Sequence, residues 1–257
     1  MSTWVLLRGL TRETRHWGAL PAVLRDRTDA GDPLLIDLPG NGDFARLRSP
    51  ANVASTVGFV RLAVLQSGAP APYRVLAMSL GGMVATAWAQ QYPHEIERLV
   101  LINTSMRPFS RAVERLRPQV WPEVLRIAAH WRDSPVAEAA IHRLTCNRHD
   151  TVASDLADWI SIREQAPVSR MNALRQLWAA ARFRADDLAP RCATLVLSSG
   201  GDRLVDPVCS EKLAAAWQVP HIRHAWAGHD LPHDDVVWTA ETIATWLAQH
   251  PEQSEMS

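Results

Sequence analysis

Six short, mainly apolar runs recur along the chain between stretches of helical spacing: Trp4–Leu7, Leu34–Ile36, Arg74–Met78, Leu99–Ile102, Thr194–Leu197 and Ile222–Ala225. Because these runs are continuous rather than alternating, each predicts a strand buried on both faces. The intervening segments repeat apolar residues at three and four; in the last of them Val236, Ala240, Ile243 and Leu247 share one helical face. Strands that alternate with amphipathic helices need crossover connections, which yield a mostly parallel sheet covered on both sides. The expected fold class is α/β, with about six strands.

The alternation stops after Thr104, and from Arg107 to Asp187 the sequence shows helical periodicity without a convincing strand. Trp121, Leu125, Ala128 and Ala129 share one face there, Met171, Leu174, Trp178 and Ala181 another, and prolines at 118, 122, 135 and 167 punctuate the helices. The expected organisation is a core of residues 1–106 and 188–257 interrupted by a helical cap of residues 107–187. A length of 257 residues suits one core with such an excursion. An insertion leaving the C-terminal ends of parallel strands lies over the region where such sheets bind ligands. No internal repeat is present, and the polar tail from Gln249 to Ser257 is expected to fray.

Charge narrows the partner. Lys and Arg number 27, Asp and Glu number 27, and the only lysine is Lys212, so no net field favours nucleic acid or anionic membrane. A small, largely neutral molecule is expected, bound by a monomer or homodimer. Cys146, Cys192 and Cys209 are odd in number and lack any CxxC pairing, which argues against a disulfide framework or zinc site and for a reducing compartment. No leader-like segment and no apolar run of membrane-spanning length is evident, so a soluble cytoplasmic protein is expected.

The segment Val75–Met83 carries the strongest chemical signal: an apolar strand, then Ser79 between small residues, then helical pattern from Val84. A serine at a sharp strand-to-helix turn points away from the sheet, and the following helix offers free N–H groups to a developing anion. Ala77 and Gly81, two residues before and after, leave room for the turn. The segment resembles the G-x-S-x-G nucleophile elbow of the α/β-hydrolases, with alanine replacing the first glycine. A serine hydroxyl needs a histidine to take its proton and a carboxylate to orient that histidine. In Ser198–Pro207, which resembles the family's acid loop, Asp202 matches the acid position and Asp206 is the reserve. In Trp226–Asp235, which resembles the histidine loop, His229 matches the base position and His233 is the rival. Ser79, Asp202 and His229 each follow a separate strand-like run and stand in the family's order.

The same resemblance implies an oxyanion hole formed by the N–H groups of Leu80 and Leu10. The early loop Leu6–Thr11 keeps Gly9 but replaces the family's usual histidine with Arg8. Ile36–Gly42, similar to the D-x-P-G-x-G loop, reads as structural. Of eleven tryptophans, Trp121, Trp159 and Trp178 are the expected substrate-lining residues together with Gly9, although most tryptophans at helical spacing anchor a core. His142 and His149 read as surface residues rather than metal ligands.

The expected activity is hydrolysis of a carboxylic ester of a small, largely apolar substrate through an acyl-enzyme on Ser79, without metal or cofactor. Similarity to the methyl-esterases of biotin synthesis offers an alternative, an ester or thioester linked to an acyl-carrier protein that docks on cap arginines such as Arg111, Arg115, Arg126 and Arg143. A C–C bond hydrolase or acyltransferase would use the same triad, and a low-turnover receptor would keep the scaffold alone. Dehalogenase and epoxide hydrolase chemistry are disfavoured, because both need an aspartate where Ser79 stands. HExxH and phosphate-binding Gly-rich signatures are absent from the sequence.

Overall fold

A computed structural model of the chain describes residues 2–28 and 30–251, so most of the polar tail lies outside the described residues. Its centre is a six-stranded sheet in the order β2-β1-β3-β4-β5-β6. The strands are β1 (Trp4–Leu7), β2 (Leu34–Ile36), β3 (Tyr73–Met78), β4 (Ile96–Ile102), β5 (Ala193–Ser199) and β6 (His221–His224). Every neighbouring pair is parallel. All six expected runs are strands, and β4 extends three residues earlier than its apolar stretch, through the more polar Ile96–Arg98.

The pleat sends alternate residues to opposite faces, and both faces are covered. Val5, Leu7, Val75, Ala77, Leu99, Leu101 and Val196 pack on one side beneath α2 (Val53–Gln66), α3 (Leu80–Gln91) and α9 (Val208–Trp217). Trp4, Leu6, Leu76, Met78, Val100, Ile102, Leu195 and Leu197 pack on the other beneath α1 (Leu20–Thr28) and α11 (Val236–Gln249). Double burial is why these strands carry no polar alternation. In α3 every residue from Leu80 to Ala89 is buried, so it is apolar nearly all round.

Between β4 and β5 the chain forms α4 (Ala112–Arg115), α5 (Trp121–Ala129), α6 (Ser134–Thr145), α7 (Val152–Gln165) and α8 (Arg170–Arg182). The segment leaves and returns at one point, where Arg107 bridges Arg184 and the Ala185 N–H donates to Arg107 O at 2.8 Å. The remaining helix, α10 (Leu231–Asp234), follows β6.

Strand order reverses between β1 and β3, because β2 lies outside β1 while β4 to β6 extend the other way. A parallel sheet opens a crevice at the carboxyl ends of the strands flanking such a reversal. The loop after β1 and the turn after β3 therefore meet there, and they carry Leu10 and Ser79.

Candidate active site

Ser79 stands between β3 and α3 with φ 52° and ψ −117°, a backbone conformation that side-chain-bearing residues rarely adopt. The turn is fixed from both sides: Ser79 N–H donates to Ile102 O at 3.0 Å, and the Thr104 hydroxyl donates to Ser79 O at 2.8 Å. Gly81 is required by close approach, since a Cβ there would lie 2.4 Å from Leu7 O and 2.5 Å from Arg8 O. At Gly9 a Cβ would meet the Ser79 Cβ at 3.1 Å, so the loop after β1 runs directly beside the serine. The Ser79 side chain does not cap α3. Met83 is the residue whose N–H is taken up by Ser79 O, at 3.2 Å; the N–H of Leu80 precedes the helical ladder, where helix geometry provides no acceptor.

The two candidate acids have different partners. Asp202 is 2% exposed; its Oδ1 accepts the N–H groups of Leu204 and Val205 at 2.8 and 2.9 Å, and its Oδ2 lies 2.7 Å from His229 Nδ1. Asp206 instead accepts the Val208 N–H at 3.0 Å at the start of α9. The two histidines separate in the same way, because His233 Nε2 lies 3.0 Å from Asp155 Oδ2 in α7. With a carboxylate on Nδ1, the His229 ring holds its proton there and leaves Nε2 as the basic nitrogen.

Several supporting residues carry no signal in the sequence. The Asn103 amide donates to His229 O at 2.7 Å and to Ser199 Oγ at 2.9 Å, and its oxygen accepts Ser199 N–H at 2.9 Å. Asn103 thereby ties the end of β4 to the acid and histidine loops. Arg8, 2% exposed, donates to both carboxylate oxygens of Asp230 at 3.0 and 2.5 Å and lies 4.7 Å from the Trp17 ring centroid. A buried ion pair thus joins the loop after β1 to the residue after His229. Burial pushes the Asp230 carboxyl up, but the Arg8 charge and hydrogen bonds outweigh it and hold the group at about 2.

Two expectations change. Trp159 is 4% exposed; Arg12 stacks over it at 4.2 Å, and His16, His142 and His233 pack against it at 5.7, 5.2 and 5.1 Å. It is a packing residue that joins α7 to α6, α10 and the segment after β1, whereas Trp121 and Trp178 are 56% and 55% exposed. His142 is buried rather than on the surface, because α6 turns it toward Trp159 and Asp155. The donor atoms of His142, Cys146 and His233 lie within 4.8 Å of one another. Both imidazoles direct Nε2 to Asp155 Oδ2, at 3.3 and 3.0 Å, and the Thr151 hydroxyl donates to the same oxygen at 2.7 Å. The set is organised around that carboxylate.

Residues 50–233, most of the chain, match the serine aminopeptidase S33 family. The chain belongs to this family of hydrolases. Within the S33 family's wider α/β-hydrolase fold, the chain is 30% identical over 226 residues to the pimeloyl-acyl-carrier-protein methyl ester esterase of Aromatoleum aromaticum, covering 82% of this chain and 83% of that one. It is 31% identical over 105 residues to the bifunctional biotin biosynthesis protein BioHC of Teredinibacter turnerae, a match covering 40% of this chain and 17% of that longer protein. The enol-lactonase of Burkholderia xenovorans LB400 shares the fold, with TM-score 0.72, 18% identity, and coverage of 97% of this chain and 91% of that one.

Proposed function

We propose that this S33-family hydrolase is a serine esterase that works through Ser79, His229 and Asp202. The observation that carries the reading is the buried His229 Nδ1–Asp202 Oδ2 contact of 2.7 Å at the same sheet edge as the strained Ser79 turn. His229 Nε2 takes the hydroxyl proton as Ser79 Oγ attacks the acyl carbon. The N–H groups of Leu80 and Leu10 stabilise the oxyanion. The protonated histidine returns its proton to the leaving alcohol, and water activated by the same base hydrolyses the acyl-enzyme.

For the substrate we propose a small, largely apolar acyl group received on the apolar faces that the helices of the residue 107–187 cap leave exposed. α8 buries Asn172 and Gln176 and leaves Met171, Leu174 and Trp178 between 55% and 60% exposed, and α5 similarly exposes Trp121 and Leu125. Exposed apolar faces on cap helices suit an acyl chain. A second reading, an acyl methyl ester or thioester held on a carrier protein, is favoured by the Aromatoleum relative and by Arg170, Arg175 and Arg182 on a helix with no acidic residue. An acidic carrier would be drawn to that helix and released by salt. Cys146, Cys192 and Cys209 are free thiols, which suits a reducing compartment such as the cytoplasm. Among the described residues no helix is long and apolar enough to cross a membrane.

Labelling with a fluorophosphonate, followed by peptide mapping and turnover of p-nitrophenyl esters of graded acyl length, tests the reading. Modification confined to Ser79 and loss of several orders of magnitude in Ser79→Ala are expected. Full turnover by that variant would overturn the assignment.

A further inference from the structure

α8 is turned inside out. Its buried residues include Asn172 and Gln176, 6% and 4% exposed, while Met171, Leu174 and Trp178 face outward. Both buried amides are hydrogen-bonded to the core. Asn172 accepts Ser49 N–H at 3.0 Å and donates to Leu47 O at 2.9 Å. Gln176 Nε2 reaches Asn41 Oδ1 at 2.7 Å, Ser49 Oγ at 3.2 Å and Pro39 O at 3.3 Å. Gln176 Oε1 accepts the N–H of Thr11 at 2.9 Å.

That last contact lies next to the reacting groups. Thr11 has φ 55°, a left-handed conformation that costs free energy in a β-branched residue and persists only where something holds it. It follows Leu10, whose N–H is one of the two donors in the mechanism above. Gln176 also borders a cavity of about 10 Å³, together with Leu80, Leu38 and Pro39, so it shares that space with the residue that carries the other donor. A space of that size is close to the minimum for one water, and leaves Gln176 little freedom to move.

We propose that Gln176 is a positioning residue that sets the Leu10 N–H, and with it the oxyanion hole, through its contact with Thr11. The inference rests on the esterase reading. Turnover, rather than substrate affinity, should carry the signature, because the Leu10 donor is needed most when the oxygen is negative.

The test uses three variants and p-nitrophenyl butyrate. Gln176→Met keeps the length and loses both hydrogen-bonding roles; it should lower kcat roughly tenfold to a hundredfold, as sub-ångström to ångström misplacement does, with KM within about twofold. Gln176→Glu keeps the acceptor for Thr11 but can satisfy Asn41 and Pro39 only when protonated, so its kcat relative to wild type should recover as pH falls. Asn172→Ala loosens the same helix without touching Thr11 and should retain kcat. Equal kcat losses in Gln176→Met and Asn172→Ala, or a Gln176→Met variant with wild-type kcat, would overturn this role of Gln176 while leaving the esterase intact. A wild-type protein with neither turnover nor Ser79 labelling would instead remove the esterase reading beneath it.

Discussion

At the residue scale the contrast between Asp202 and Asp206 yields the sharpest expectation. Both lie in one loop and either could orient a histidine, yet only Asp202 contacts His229, while Asp206 holds the Val208 N–H. Asp202→Asn should lower kcat by roughly three to four orders of magnitude by favouring the wrong imidazole tautomer. Asp206→Asn should leave kcat unchanged and cost about 1 kcal/mol or less, as loss of a helix-end contact does; ester kinetics and urea melts of the two variants check both. Asp230 belongs to a different class. Asp230→Asn strands the buried Arg8 charge and should cost about 3–5 kcal/mol. The acid limb of stability should change with it. A carboxyl depressed to about 2 contributes fully above the ordinary carboxylate range near 4 and loses that contribution as pH falls toward 2. Melts between pH 2 and 5 should therefore be flatter in Asp230→Asn than in wild type.

At the element scale α8 shows where sequence logic stops. Periodicity places Met171, Leu174 and Trp178 on one stripe, but a stripe does not state what it faces, and the usual expectation turns it toward a core. Here orientation is decided by Asn172 and Gln176, whose partners between Thr11 and Ser49 lie more than a hundred positions away in the chain. The Arg8–Asp230 pair spans 222 positions and was equally illegible, as was the burial of Trp159 among four polar neighbours from separate segments. The strands and the Ser79 turn were legible because both are written locally, by continuous apolar runs and by small residues flanking a serine. The exposed stripe leads to a prediction of its own. Trp178→Ala and Leu174→Ser remove no buried contact, so stability should stay within about 0.5 kcal/mol of wild type. If the stripe receives the acyl chain, kcat/KM should fall for long p-nitrophenyl esters and hold for the acetate. Uniform change across chain lengths would remove the stripe from the substrate site.

At the scale of the whole molecule, the helices of residues 107–187 are joined to the core by buried charge as much as by apolar contact. Arg12 from the loop after β1 and Arg163 from α7 share the two oxygens of Glu138, at 2.7 and 2.8 Å, and Asp155 gathers His142 and His233. Such a junction responds to pH, and the direction follows from which state holds protons. Burial lowers His142 despite its hydrogen bond to Asp155, which opposes it, and burial together with Arg12 holds His16 well below its ordinary value. Between those lowered values and the unfolded value near 6.5, the unfolded chain binds more protons than the folded one, so stability must fall as pH falls. Asp155 is depressed, since its hydrogen bonds with Thr151 and His233 outweigh burial; its contribution stays intact through this window and fails only below the ordinary carboxylate range. Urea midpoints should thus decline from pH 7.5 to 5.5, and His142→Gln should flatten part of that decline by removing one titrating group. A midpoint that rises on acidification would mean that Asp155 wins instead, with the histidines charged in the fold and α7 held to α6 and α10 more tightly in acid.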